Sequence, residues 1–240
     1  MTDPLIRTKL RLPFTRPELV PRPRLQRQIR QGLRGPLTLI AAPAGFGKTT
    51  LIASSVAEWG CPIAWLSLDK DDNRESRFLT YVIAALQAID SGIGNEAASF
   101  VTASPHVHAE AVVASLANDL DAFGGEIALV LDDYHVISSQ AVHAAVALLL
   151  EYCPATFRLV IVSRSDPPLP LGRLRARGQM VELRAADLSF TESEAAQFLN
   201  DVMELDLDVG SIAVLEARTE GWIAGLQMAA LSMRNRGDIR

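Results

Sequence analysis

Five short, nearly uninterrupted apolar runs divide the chain: Leu37–Ala41 and residues 63–68, 127–131, 159–162 and 181–183. A strand with one wet face alternates apolar and polar residues. These runs do not alternate, so they read as strands buried on both faces. Between them apolar residues recur at helical spacing, as Phe78, Val82, Ala85, Leu86 and Ile89 do. The pattern predicts helices over 23–33, 50–59, 78–89, 109–123 and 141–152, with Gly35-Pro36 stopping the first and Gly124-Gly125 closing the fourth. Alternating strands and helices predict an α/β fold: a mainly parallel five-stranded sheet with flanking helices, joined by right-handed crossovers.

After about residue 185 the pattern turns helical alone. Thr191-Glu192-Ser193-Glu194 reads as a capping box, and 208–218 and 222–236 complete a small helical module. Gly221 and Gly225 flank Trp222, which predicts a turn and a close helix contact there. Residues 1–22 are rich in Pro and Arg without periodicity and read as an extended arm; 91–105 read as a loop. The expected division is an arm over 1–22, a nucleotide-binding domain over 23–185, and a helical subdomain over 186–240. With no closing element after the last helix, the chain is expected to be a piece of something longer.

The net charge of −5 gives no global basic footprint for nucleic acid. The arginine-rich stretches 22–34 and 173–184 read as solvated helix faces or loops. Cys61 and Cys153 lie far apart without metal-ligand spacing, which suggests a reducing compartment. No basic-then-apolar leader opens the chain, and no apolar run approaches the roughly 18 residues of a membrane span. A cytoplasmic location without membrane contact is the expectation.

The first strand leads into the segment with the most chemistry, Ala42-Pro43-Ala44-Gly45-Phe46-Gly47-Lys48-Thr49-Thr50. Strand, small-residue loop and Gly-Lys-Thr opening a helix is the layout of a phosphate-binding loop. Amides of Ala44, Gly45, Phe46, Gly47 and the first helical turn through Thr50 converge on one spot, where the helix dipole adds partial positive charge. Lys48 would reach the terminal phosphates and the Thr49 hydroxyl would ligate Mg²⁺. Ala42 stands where the strict pattern has glycine, a small residue that a turn tolerates while φ stays negative.

A phosphate loop needs a metal-facing acid, and Leu129-Val130-Leu131-Asp132-Asp133 supplies one at the C-terminal end of a buried strand, where parallel sheets bind ligands. Asp132 is placed to hold Mg²⁺ and Asp133 to polarise the attacking water. Arg164, after the next strand, can pair with a γ-phosphate. His135 reads as packing or as a hydrogen-bonding side chain. His106, His108 and His143 form no metal-ligand set, and Trp65 and Trp222 read as core anchors.

Taken together these stretches resemble the N-terminal nucleotide-binding region of the large, MalT-like, ATP-binding LuxR-type transcriptional activators, members of the STAND class of P-loop ATPases. The matches run in order along nearly the whole chain: residues 5–10, the phosphate loop, Trp65-Leu66-Ser67-Leu68-Asp69 with Asp72-Asn73 and Arg77-Phe78, Leu131-Asp132-Asp133-Tyr134-His135, Ser163-Arg164, Leu174-Arg175-Ala176-Arg177-Gly178-Gln179, and Glu220-Gly221-Trp222 with Gly225-Leu226-Gln227. The resemblance implies a switch that binds ATP or ADP with Mg²⁺. It rests as an ADP-bound monomer, self-associates in the ATP state when a C-terminal sensor binds inducer, and is reset by slow hydrolysis. DNA binding would belong to a C-terminal helix-turn-helix absent here. The resemblance also makes Arg22 an adenine-pocket contact and the helical module a lid, with Gly221-Trp222 standing where the class has a proline. The alternatives are a stand-alone P-loop kinase or constitutive ATPase, with Arg173, Arg175 and Arg177 as its arginines, and an inactive scaffold, which the intact Lys48, Thr49, Asp132 and Asp133 oppose.

Overall fold

In the computed structural model, residues 4–16, 18–103 and 108–237 are described. Five strands, β1 (Leu37–Ala41), β2 (Ile63–Ser67), β3 (Ile127–Asp132), β4 (Phe157–Ser163) and β5 (Met180–Arg184), form one sheet in the order β2-β3-β4-β1-β5. Every pairing is parallel, with Leu39 opposite Ile161 and Glu182, and Leu129 opposite Leu159. All five C-terminal ends therefore share one edge. The chain leaves β1 for the far edge of the sheet and returns through β3 and β4 to its side, so β1 stands at the switch point where such sheets hold ligands.

Each strand serves two cores because successive side chains point to opposite faces. Leu37, Leu39, Leu129, Leu131, Leu159 and Ile161 face one layer, where they meet α3 (Glu75–Gln87), α5 (Ala109–Phe123) and α6 (Gln140–Tyr152). Ile40, Ala128, Val130, Val160 and Val162 face the other, with α1 (Pro23–Gly32) and α2 (Lys48–Ser55). Gly124 closes α5 in a left-handed conformation, its N–H returned to the carbonyls of Leu120 and Asp121.

Two stretches differ from expectation. Residues 91–105 were expected as a loop, yet α4 (Asn95–Ala103) lies within them, burying Ala97 and Val101 against the core. Only two apolar anchors one turn apart mark it, too few for periodicity to reveal; residues 104 and 105 fall outside the described segments. The arm contains a 3-10 turn, Arg7–Leu10, that buries Lys9.

The chain continues through α7 (Leu171–Ala176) and α8 (Ala185–Leu188) to α9 (Glu192–Ala196), α10 (Val209–Thr219) and α11 (Ile223–Gly237). The last three gather a separate cluster of Phe190, Ala195, Leu199, Met203, Ile212, Leu226 and Ala230. The capping box forms: the Glu194 N–H donates to Thr191 Oγ1 at 3.2 Å and the Thr191 N–H to Glu194 Oε2 at 3.0 Å. Among the described residues no helix is long and apolar enough to cross a membrane.

Candidate functional site

The phosphate loop links β1 to α2. Ala42 remains part of the sheet layer, buried, its N–H donating to the Ser163 carbonyl at 3.3 Å. Its φ is not positive, so a Cβ costs nothing there. Gly45 and Gly47 carry the tight turn at φ 82° and 70°. Lys48 opens α2 and is buried, Nζ donating to the Pro43 carbonyl at 2.9 Å. Burial lowers its pKa, and the charges of Asp133, Arg164 and Asp132 all bear on it, so the fold gathers these four around the loop.

The acid pair divides into one buried and one open carboxylate. Asp132 is buried at the end of β3, where Oδ1 accepts from Thr49 Oγ1 and from the Asp133 N–H, both at 3.0 Å. Its pKa is pushed up to about 6, first by burial and then by the neighbouring Asp133 charge. Asp133 occupies a left-handed conformation, φ 57°, and its side chain is about half exposed. The imidazole of His135 lies 3.7 Å from that carboxylate, beyond hydrogen-bond reach, and Nδ1 is buried without a partner. Burial and the nearby Arg164 charge lower the His135 pKa.

The first turn of α11 sits on the phosphate loop. Trp222 Nε1 donates to the Ala44 carbonyl at 3.0 Å, and the Ala224 N–H to the Gly45 carbonyl at 3.1 Å. The approach is so close that a Cβ on Gly45 would lie 2.7 Å from both Ala224 Cβ and Trp222 Nε1. Gly221, at φ 66°, lets the chain turn into α11 against the Phe190 backbone, where a Cβ would meet the carbonyl oxygen at 2.4 Å.

Arg22 lies apart from the Lys48 group. It is buried, pairing with Glu194 at 3.0 Å and donating to the carbonyls of Leu188 and Ser189 at 2.8 Å each, with its guanidinium over the Phe190 ring. It thereby ties the segment before α1 to the helical module. Burial lowers its pKa against the pull of Glu194.

No family model matches the chain. Against individual proteins the likeness is extensive. The chain is 37% identical over 230 residues to the HTH-type transcriptional regulator MalT of Yersinia enterocolitica and equally to MalT of Yersinia pestis, covering 96% of this chain and 25% of each relative. Nearly the whole of this chain is MalT-like. It spans about a quarter of the length of the curated relatives it matches. Among solved structures, a Signal Transduction ATPase with Numerous Domains (STAND) protein with a tetratricopeptide repeat sensor from Pyrococcus horikoshii aligns at TM-score 0.64 and 15% identity, covering 89% of this chain and 30% of that one. A Thermotoga maritima RuvB variant aligns at TM-score 0.52 and 13% identity, covering 92% and 65%. At such identities these likenesses establish the P-loop NTPase fold. The MalT likeness supports a nucleotide-binding regulatory module of a transcriptional activator.

Within this MalT-like site, sequence reasoning missed the place of Trp222. Its flanking glycines signalled a close contact but not that the partner is the phosphate loop. Trp65, by contrast, is a core residue, buried in the α1–α2 layer. His143 is buried and bonded to the Tyr134 hydroxyl at 2.9 Å; His108 precedes α5, and His106 lies outside the described residues. The described residues include no cluster of three His, Cys, Asp or Glu suited to a metal, and both cysteines are free. A hard divalent cation asks instead for oxygen donors beside phosphate. The Thr49 hydroxyl and the buried Asp132 carboxylate, 3.0 Å apart, fit that demand as oxygen donors.

This carboxylate has a measurable cost. Its folded-state pKa lies above its ordinary value, so ionisation opposes folding: the penalty is absent below 3.8 and complete above about 6. In metal-free, nucleotide-free protein, Asp132→Asn is expected to raise stability near neutral pH by roughly 2 kcal/mol, since Asn Oδ1 still accepts from Thr49 and the Asp133 N–H. The gain should close in acid. Urea denaturation in EDTA at both pH values checks this, and a variant no more stable than wild type near neutrality contradicts it.

Proposed function

We propose that this chain is the ATP/ADP-dependent switch module of a MalT-like transcriptional activator, with slow ATP hydrolysis as its reset. Residues 23–185 act as the nucleotide-binding domain and 186–240 as the lid. Lys48 and the loop amides from Ala44 to Thr50 hold the phosphates. Thr49 and Asp132 hold Mg²⁺, which when bound supplies charge neutralisation on the phosphate oxygens. Asp133 orients and deprotonates the attacking water, and Arg164 pairs with the γ-phosphate. Arg22, at the start of α1, borders the adenine side.

One observation carries this reading. The loop that begins α2 is bonded on one side to the acid strand, through Thr49 and Asp132, and on the other to the helical module, through Trp222 and Ala224. A change at the phosphates therefore has a direct route to the orientation of the module. Self-association in the ATP state, inducer sensing and DNA binding would follow in regions that the MalT relatives possess beyond this quarter of their length.

A kinase finds less support. Arg175, one of its candidate arginines, is held by Glu182 and by Asp166 at 3.3 Å, and Glu182 and Asp166 are shared with Arg184. Turnover separates the readings. A kinase gives about 1–100 s⁻¹ with its acceptor, whereas the switch hydrolyses ATP far more slowly, at a rate that candidate acceptors leave unchanged. Rapid phosphoryl transfer to any acceptor would overturn the proposal.

A further inference from the structure

The loop that carries Asp133 is pinned by one side chain from another element. Asn73 ends the 3-10 turn Lys70–Asn73 that follows β2, next to β3 in the sheet. Its amide bonds at Val136, Ser138 and Ser139 of the segment after Asp133. Oδ1 accepts from the Ser138 N–H at 2.6 Å, the Ser139 N–H at 2.9 Å and the Ser138 hydroxyl at 3.2 Å. Nδ2 donates to the Val136 carbonyl and to the Lys70 carbonyl, each at 3.0 Å. The Val136 N–H in turn donates to the Asp133 carbonyl at 3.1 Å. Two hydrogen bonds in series thus connect Asn73 to the residue whose left-handed backbone aims the water-facing carboxylate.

Asn73 is itself fixed from below. The adjoining Asp72 is fully buried and holds Lys9 of the arm, Arg77 of α3 at 3.2 Å and the Asp69 N–H at 2.8 Å. A buried carboxylate with two cationic partners and a backbone donor is a rigid support. Below Asp133, the buried Tyr134 hydroxyl meets His143. The backbone after the left-handed Asp133 is thus anchored by Asn73 at Val136 and, through Tyr134, by His143 of α6.

We infer that Asn73 is a positioning residue for hydrolysis: it sets the backbone from which Asp133 acts, without touching nucleotide. The inference rests on the role proposed for Asp133 above. It makes a demand on the Nδ2 arm in particular. Asn73→Asp keeps an acceptor for Ser138 and Ser139 but sets a carboxylate oxygen against the Val136 and Lys70 carbonyls, so it breaks the link to Asp133 while nearly preserving shape. Displacements near 1 Å at reacting groups cost up to about 100-fold in rate.

The test is single-turnover hydrolysis of bound ATP, with ADP affinity and thermal midpoint, for wild type, Asn73→Ala, Asn73→Asp, Asp133→Asn and the double variant Asn73→Ala/Asp133→Asn. The expected result is hydrolysis slowed at least about 10-fold in both Asn73 variants, ADP affinity within about threefold of wild type, and a double variant no slower than Asp133→Asn. If Asp133→Asn loses turnover while both Asn73 variants keep it, the inference alone falls. If Asp133→Asn hydrolyses normally, the role of Asp133 falls and the inference with it. If the Asn73 variants lose ADP affinity in step with rate, Asn73 supports the fold at large and is no positioning residue. Should Asn73→Ala fail to fold, the nearly isosteric Asn73→Asp carries the test.

Discussion

Lys48→Ala is expected to weaken ADP and ATP binding by about 100-fold or more. Charge-assisted hydrogen bonds to phosphate contribute on the order of 3 kcal/mol, and each 1.4 kcal/mol is a factor of ten. The environment adds to the loss. Asp132 and Asp133 both act on Lys48, so its removal would leave these two carboxylates with less countercharge beside the proposed phosphate site. The folded structure gives up little in exchange, because among the described residues the hydrogen bond of the ammonium is to the Pro43 carbonyl of its own loop. Titration with a fluorescent ADP analogue, alongside thermal unfolding without nucleotide, reads both halves. Affinity within threefold of wild type would remove Lys48 from the site.

Asp133→Asn is expected to do the opposite: keep nucleotide and lose turnover. The side chain is half exposed, and His135 at 3.7 Å lies beyond hydrogen-bond reach of its carboxylate, so the change disturbs little packing; the charge it removes acts on Asp132 and Lys48. The left-handed backbone at φ 57° accepts asparagine readily, which makes Asn a cleaner replacement than Ala. Removing a general base costs about 100-fold to 10,000-fold. Phosphate release under single-turnover conditions should fall by that order while ADP affinity stays within a few fold. Normal hydrolysis by this variant would assign water activation to another group.

Much of this arrangement was legible in the sequence because its signals are local. Strands buried on both faces have no polar phase, so β1, β3 and β4 stand out as apolar runs, and the loop after β1 and the acids after β3 follow directly. The capping box at Thr191 and the left-handed Gly124 are equally short-range. The contacts that give the site its wiring are not local. Trp222 reaches a carbonyl 178 residues away and Arg22 a carboxylate 172 residues away. Asn73 reaches a loop 65 residues on. Such contacts depend on sheet order: β2 lies beside β3, so the turn after one falls against the turn after the other. Nothing in the hydrophobic pattern states that order. The same limit explains the arm, where the burial of Lys9 follows from Asp69 and Asp72 sitting at the end of β2.

The central claim is that nucleotide occupies a loop covered by the helical module and is released slowly. Freshly purified protein, denatured and separated by ion-exchange chromatography, tests it most directly. The account predicts close to one ADP per chain, held through purification beneath the first turn of α11. Protein that emerges empty, binds ATP weakly and turns it over rapidly would contradict it.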